Sequence, residues 1–441
     1  MKKKYTYFFI LFSFFAFTVL ILKYRKSDVK YELELRHGAL ASTSEWLNSK
    51  SAIEGLIERL RNNPSDNKIK LSLGMAYIQE ARISGNHAYY DKAALELFNS
   101  ILNKEENNFE ALIGKATVLL SQHHFSDAIP VAEQAMKISQ QTAAVFGLLT
   151  DAYVELGDYQ KAIEMADKMS ATRPDMRSYS RISYLREILG DYIGAIDAMK
   201  MAVEAGYPGS EQTEWCRVQL GHLYENTGNL VMAQHCYDQS IYFRPTFSWA
   251  FAGLARVEKA KGNNQNAIQL LKTAQAILPD FSFQQELTEI YRISNLPYEA
   301  AVSARKTIEI LGGVQGDDSG KNHGHYADKE LSYAYLDAYD YINAYKHALI
   351  EYNRRPENIE VNQLLAWVNY KLGRYEKANR LIDIALRTGS KNTVLNYEAG
   401  LIKSKFGLVQ EGSRLMNQSL AMNPYISPSL KWETKKMITM R

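Results

Sequence analysis

Two cysteines and two histidines fall within one short stretch, Cys216, His222, His235 and Cys236, and together they have the inventory of a Cys2His2 zinc site. On a helix, the step from Cys216 to His222 turns the side chain by about 240°, and adjacent His235 and Cys236 diverge by about 100°. Side chains pointing apart in this way do not close on one ion, so the four read as ordinary helix positions and no metal is expected. A disulfide between Cys216 and Cys236 stays open only if the body is exported to an oxidising compartment. A second candidate, Asp317, Asp318, His323 and His325, lies in GGVQGDDSGKNHGH, residues 312–325, where turn formers dominate and no apolar period survives. A solvated loop accounts for that composition without a cation. Trp215, Trp249 and Phe283 form the third group, one large aromatic face every 34 residues. Such faces suit an extended peptide or the stacking of sugar rings. No G-x-x-x-x-G-K-[ST], H-E-x-x-H or G-x-S-x-G signature is present. Catalysis and a cofactor are therefore not expected, and the chemistry that remains is recognition.

Whatever positions these residues must be a folded, mostly soluble body. Of 441 residues, 46% are apolar and 23% charged, which excludes disorder and a multi-span membrane protein. The formal charge of +3 is misleading, because residues 1–30 alone carry +6 and leave −3 for the rest. A nucleic-acid partner, which requires a dense Lys/Arg stripe, is not expected of that body. Between Tyr5 and Leu22 there is no charged residue. As a helix this run is about 27 Å long, enough for a bilayer core, with Tyr5, Tyr7 and Tyr24 near the interfaces. No small-x-small cleavage site precedes Lys23-Tyr24-Arg25-Lys26, so residues 1–30 read as a short tail and an uncleaved single-pass anchor, as in a bacterial inner membrane. Basic residues on both flanks nearly cancel the positive-inside rule. The very short basic tail leans towards a cytoplasmic amino terminus and an extracytoplasmic body, with a cytoplasmic body left open.

The rest of the chain is periodic. An alanine opening an apolar helix recurs at Ala52, Ala94, Ala128, Ala162, Ala195, Ala233, Ala267, Ala301, Ala344 and Ala378, with Gly412 in the last place. Six of the ten gaps are 34 residues. Twelve residues earlier stands another small or tolerated residue in most units: Ala116, Thr150, Ser183, Gly221, Ala255, Ser332, Ala366 or Gly400. Between the two lie Gly157, Gly190, Gly228, Gly262, Gly373 and Gly407, and twelve residues after the alanine come Pro64, Pro174, Pro245, Pro279, Pro356 and Pro424. Small residues let helices cross closely, glycine ends the first helix in a left-handed conformation, and proline stops the second. The unit is a helical hairpin that cannot bury its own stripe, so neighbours must stack.

In these residues the chain resembles a tetratricopeptide repeat (TPR) protein, most closely at Phe146 to Pro174 and Leu220 to Pro245. The resemblance implies an all-α, right-handed superhelical solenoid of about ten TPR hairpins over residues 65–425, after the transmembrane helix and a linker and leading helix at 31–64, with a loop insertion at 312–325 and a capping tail at 426–441. It also implies a concave groove lined by the first helix of each hairpin. Read in that register, Tyr184, Trp215, Trp249, Phe283, Tyr326, Tyr333, Trp367, Tyr370 and Tyr397 are groove candidates, with Glu187, His222, Glu225, Arg256 and Lys329 as polar partners. The same rings can instead pack between hairpins. The family's carboxylate clamp is not reproduced: Lys329 falls at one of its places, but Tyr333 replaces the asparagine. Leu56 to Asp66 and Leu71 to Tyr77 resemble the entry into membrane-bound bacterial adaptors for c-type cytochrome maturation and lipopolysaccharide assembly, although the paired cysteines of the latter are missing. The expected function is a membrane-anchored adaptor or scaffold that binds protein partners in its groove during assembly of an envelope complex. A carbohydrate-handling protein in surface polysaccharide synthesis or export is the alternative, with a glycan on the aromatic faces.

Overall fold

The computed structural model describes residues 30–314 and 324–439. The apolar run at 5–22 lies outside the described residues, and among those described no helix is long and apolar enough to cross a membrane. The described chain is helical, without strands. A leading helix α1 (Ser44–Asn62) precedes ten antiparallel hairpins. The first five are α2 (Asn67–Ser84) with α3 (His87–Leu102), α4 (Phe109–Ser121) with α5 (Phe125–Ile138), α6 (Ala143–Leu156) with α7 (Tyr159–Thr172), α8 (Met176–Ile188) with α9 (Tyr192–Glu204), and α10 (Glu211–Asn226) with α11 (Leu230–Phe243). The next five are α12 (Ser248–Ala260) with α13 (Asn264–Ile277), α14 (Phe281–Ile293) with α15 (Pro297–Val314), α16 (Asp328–Asp337) with α17 (Tyr341–Arg354), α18 (Ile359–Lys371) with α19 (Tyr375–Ala385), and α20 (Thr393–Phe406) with α21 (Val409–Met422). A last helix, α22 (Pro428–Thr439), follows.

The hairpin turn explains itself residue by residue. A left-handed residue ends the first helix, and the next residue caps the second. After Gly157 (φ 83°), Asp158 accepts the Lys161 amide, and after Gly190 (φ 79°), Asp191 accepts the Gly194 amide. Where no glycine is present the left-handed seat is taken by His123, Asn295 and Tyr339, at φ 63°, 57° and 61°. For Tyr339 this backbone is strained. The two helices of a hairpin then cross at the small residues twelve apart. Ser183 Oγ donates to the Ala195 carbonyl at 2.7 Å and Ser332 Oγ to that of Ala344 at 2.8 Å, contacts that only short side chains permit.

Three alanines, Ala52, Ala94 and Ala301, are out of register with these crossings. Ala52 and Ala301 are exposed, and the seat five residues past the left-handed turn belongs to Ala300 in the seventh hairpin and to Tyr90, not the buried Ala94, in the first. The expected loop at 312–325 also begins late, because α15 continues through Val314. Asp317, Asp318 and His323 lie outside the described residues.

About six hairpins on, the solenoid passes back over itself. The hairpin turns of the early repeats meet the connections between late ones, at sequence separations of 198 to 204 residues. Six units of 34 give the same number. The Tyr326 amide donates to the Gln122 carbonyl at 3.1 Å, and His124 Nε2 lies 2.8 Å from the Gly324 carbonyl. Tyr159 accepts the Ile359 amide at 3.0 Å, Asn358 Nδ2 donates to the Glu155 carbonyl at 2.9 Å, and Asn423 Nδ2 donates to the Glu225 carbonyl at 2.9 Å. Arg355 pairs with Glu155 across the same seam. Backbone approaches backbone here because the turns are glycine: a Cβ on Gly157 would collide with the Glu357 carbonyl, and one on Gly190 would come within 2.6 Å of the Gly389 oxygen.

The seam makes a measurable contrast. Gly373 has the same left-handed backbone (φ 73°) with open space around it. Gly373→Ala is expected to cost only the left-handed penalty, about 1–2 kcal/mol, whereas Gly157→Ala adds the collision and lowers the Tm at least twice as far. Equal shifts in thermal unfolding would show that the seam contributes nothing.

Candidate concave binding surface

The first helices of the hairpins face inward, and their polar side chains are tied rung to rung. Arg181 on α8 grips Asp151 on α6 with two hydrogen bonds, 2.8 and 2.6 Å. Arg256 on α12 bridges Glu225 on α10 at 2.9 Å and Glu286 on α14 at 2.8 Å, with His222 against its other nitrogen. Lys329 on α16 reaches Glu360 on α18 at 3.1 Å, and Gln363 on α18 donates to Glu398 on α20 at 2.8 Å. The ion pairs join residues 30 or 31 apart. That is one repeat less about one helical turn, the diagonal expected of side chains that lean along a helix. Across the interior, the Tyr184 hydroxyl donates to Glu360 at 3.4 Å over a separation of 176 residues, so the concave face is narrow where the third and fourth hairpins oppose the eighth and ninth.

The lining is unevenly hydrated: the Glu360 side chain keeps 47% of its surface open, whereas Glu398 is buried. Glu360 is held below the usual carboxylate range, first by the adjacent Lys329 ammonium. Burial raises Glu155, and burial pushes Glu398 up to about 7 and Asp337 to about 6. Burial, then the Arg256 guanidinium, drives His222 well below its ordinary value. This lining carries more carboxylates than cations, and its paired groups are held largely by one another.

The polar partners expected from the sequence, Glu187, His222, Glu225, Arg256 and Lys329, all belong to this network. The aromatic candidates divide. Tyr184 and Trp215 keep 38% and 40% of their surface open, and Tyr333 is half-buried. Phe283, by contrast, is completely buried, and Trp249 packs edge-to-face against it at 4.8 Å. The even spacing of Trp215, Trp249 and Phe283 is therefore not an open ladder; two of its members fill the space between neighbouring hairpins. Trp367 and Tyr370 are buried and stacked on each other at 4.8 Å, with Lys371 over Trp367. Tyr397 is buried with its hydroxyl 2.7 Å from Thr434 on α22. Tyr326 precedes α16, and its ring lies between His124 and Arg354 in the seam. The buried rings have one physical cause: a large ring on a first helix lowers the free energy by sealing against the next hairpin as readily as by facing outward.

Cys216 and Cys236 are free buried thiols in one core cluster, and burial pushes them up to about 12 and about 11. His235 is exposed and His222 sits beside Arg256, so the four do not converge. Sequence reasoning did not find the seam residues Glu155, Tyr159, Arg355 and Asn358, because nothing in a 34-residue period marks which repeat lies over which.

Residues 119–187 and 216–247 match tetratricopeptide repeat family models. The chain carries TPR repeats, and its hairpins form the all-helical solenoid such repeats build, a fold consistent with a protein-interaction scaffold. No curated protein matches it in sequence. Solved structures similar to it include human IFIT1 in complex with m7Gppp-AAAA, at 16% identity over 77% of this chain and 76% of that one, with a TM-score of 0.49. A tetratricopeptide repeat protein from Parabacteroides merdae ATCC 43184 is 16% identical over 64% and 99% of the two chains, with a TM-score of 0.42. PilW, described as a widely conserved type IV pilus biogenesis factor, is 16% identical over 46% and 94%, with a TM-score of 0.39. These likenesses are of repeat architecture only.

Two measurements test the lining. Glu398 titrates higher folded than unfolded, so the native state binds the extra proton and stability falls as pH rises from about 4.5 to about 7. Glu398→Gln is expected to flatten that fall and to stabilise the protein at pH 8 by on the order of 2 kcal/mol; an unchanged pH dependence would remove the assignment. Arg256→Leu strands Glu225 and Glu286 near each other and is expected to cost about 3–5 kcal/mol in chemical unfolding.

Proposed function

We propose that the protein is a non-enzymatic adaptor: a TPR solenoid held at a bilayer by residues 5–22, which binds an extended segment of a protein partner on its concave face during assembly of an envelope complex. One observation carries this reading. The lining is a continuous polar staircase from α6 to α20 in which Tyr184 and Trp215 remain open to a ligand while their charged neighbours are already positioned. Preset side chains lower the ordering cost of binding. The apolar run with basic flanks supports the anchor, and its short basic tail supports an extracytoplasmic body. The carbohydrate alternative is not carried further, since the aromatic track it needs is broken at Phe283.

Crosslinking in native membranes, followed by identification of co-purified proteins, tests the proposal. A reproducible partner is expected, and Tyr184→Ala with Trp215→Ala is expected to lose it at least tenfold while helicity and Tm hold. Recovery of lipid alone, or undiminished capture by the double variant, would count against groove binding. Protease added to spheroplasts should digest the body; protection until lysis would place it on the cytoplasmic side.

A further inference from the structure

The seam leaves the solenoid with two unequal rims, and the later one is unfinished. Early hairpin turns are covered: a Cβ on Gly190 would meet the Gly389 carbonyl oxygen at 2.6 Å, and one on Gly228 the Met422 carbonyl oxygen at 3.0 Å. The later turns have the same backbone and no cover. Gly262, Gly373 and Gly407, at φ 84°, 73° and 111°, would each have open space around a Cβ. The covered rim is closed by a repeated device. The first aromatic of the second helix is buried, and an arginine from the overlying connection lies on its ring: Arg355 on Phe125 at 4.9 Å and Arg387 on Tyr159 at 5.4 Å. On the later rim Tyr341 and Tyr375 hold that same first position and are only half-buried. Tyr339, which holds the left-handed turn seat of the eighth hairpin, exposes 63% of its surface.

We infer that this later rim docks a second copy of the chain, head to tail, through the connections on its opposite rim. Those connections, residues 103–108, 139–142 and 173–175, correspond in the repeat to the segments that cover Gly157 and Gly190 within one chain. The turn Arg173-Pro174-Asp175 matches Arg355-Pro356-Glu357 in its arginine, proline and acidic residue. Arg355 is buried in the seam, whereas the Arg173 side chain is 75% exposed and touches only its near neighbour Asp175 among the ion pairs it makes. Arg173 of one copy is thus free to lie on Tyr341 or Tyr375 of the next, as Arg355 lies on Phe125. A contact between different rims of identical chains is heterologous and leaves a free rim at each end, so assembly does not stop at two. The inference is independent of what the concave face binds.

Sedimentation velocity of the full-length chain in mild detergent tests it over a wide concentration range. The wild type should grow past the dimer as concentration rises. Gly373→Asn with Gly407→Asn, which keep a left-handed backbone and fill the open turns, kill one rim and Arg173→Glu the other, and each variant alone should stay monomeric. Mixed in equal amounts, they should form a dimer and stop, because each retains one live rim. If either set lowers helicity, Tyr339→Asp alone and Lys104→Glu, both at exposed positions, replace it. A wild type monomeric throughout, a variant that dimerises alone, or a mixture that stays monomeric or grows past two would each overturn the inference.

Discussion

Everything in this molecule follows from how closely two helices are allowed to cross. A pair of small residues twelve apart brings the helices of most hairpins nearly into backbone contact, and where one is serine it bonds the carbonyl under the other. That distance sets the tilt of one hairpin on the next, and a constant tilt repeated ten times winds into a superhelix. Because six hairpins make about one turn, the chain meets itself and acquires contacts that no local repeat contains. A solenoid is usually stabilised only by nearest neighbours; here contacts between hairpin turns and inter-hairpin connections join repeats six apart.

The same winding narrows the concave face until its side chains answer one another. Charged residues on successive first helices pair along the diagonal, and Tyr184 spans the interior to Glu360. Such a lining is held in place by its own pairs, and burial raises its least hydrated carboxylate, Glu398, above the usual carboxylate range.

Much of this was legible in the sequence, but unevenly. The hairpin, its glycine turns and its crossing alanines follow from local rules, so they survive translation into structure with small slips of register. Ala300 and Ala301 satisfy the same pattern, so the pattern alone does not choose between them, and Tyr90 departs from it because an aromatic can fill a wider crossing. Groove polar residues were legible too, since position on a first helix decides which way they face. Aromatic residues were less so: the period that carries Trp215 to an open surface carries Phe283 into the core, and burial depends on a neighbouring hairpin as much as on position.

By itself, then, the sequence determined the unit, its number and its order, because each is governed by contacts within 34 residues or between adjacent repeats. Only the tertiary structure decided which rings are open, which carboxylates lack water, and that Gly157 lies under Glu357 while Gly373 lies under nothing. The reason is cumulative: a rotation of a few degrees per hairpin is invisible in any one repeat, yet summed over six it determines where the chain meets itself.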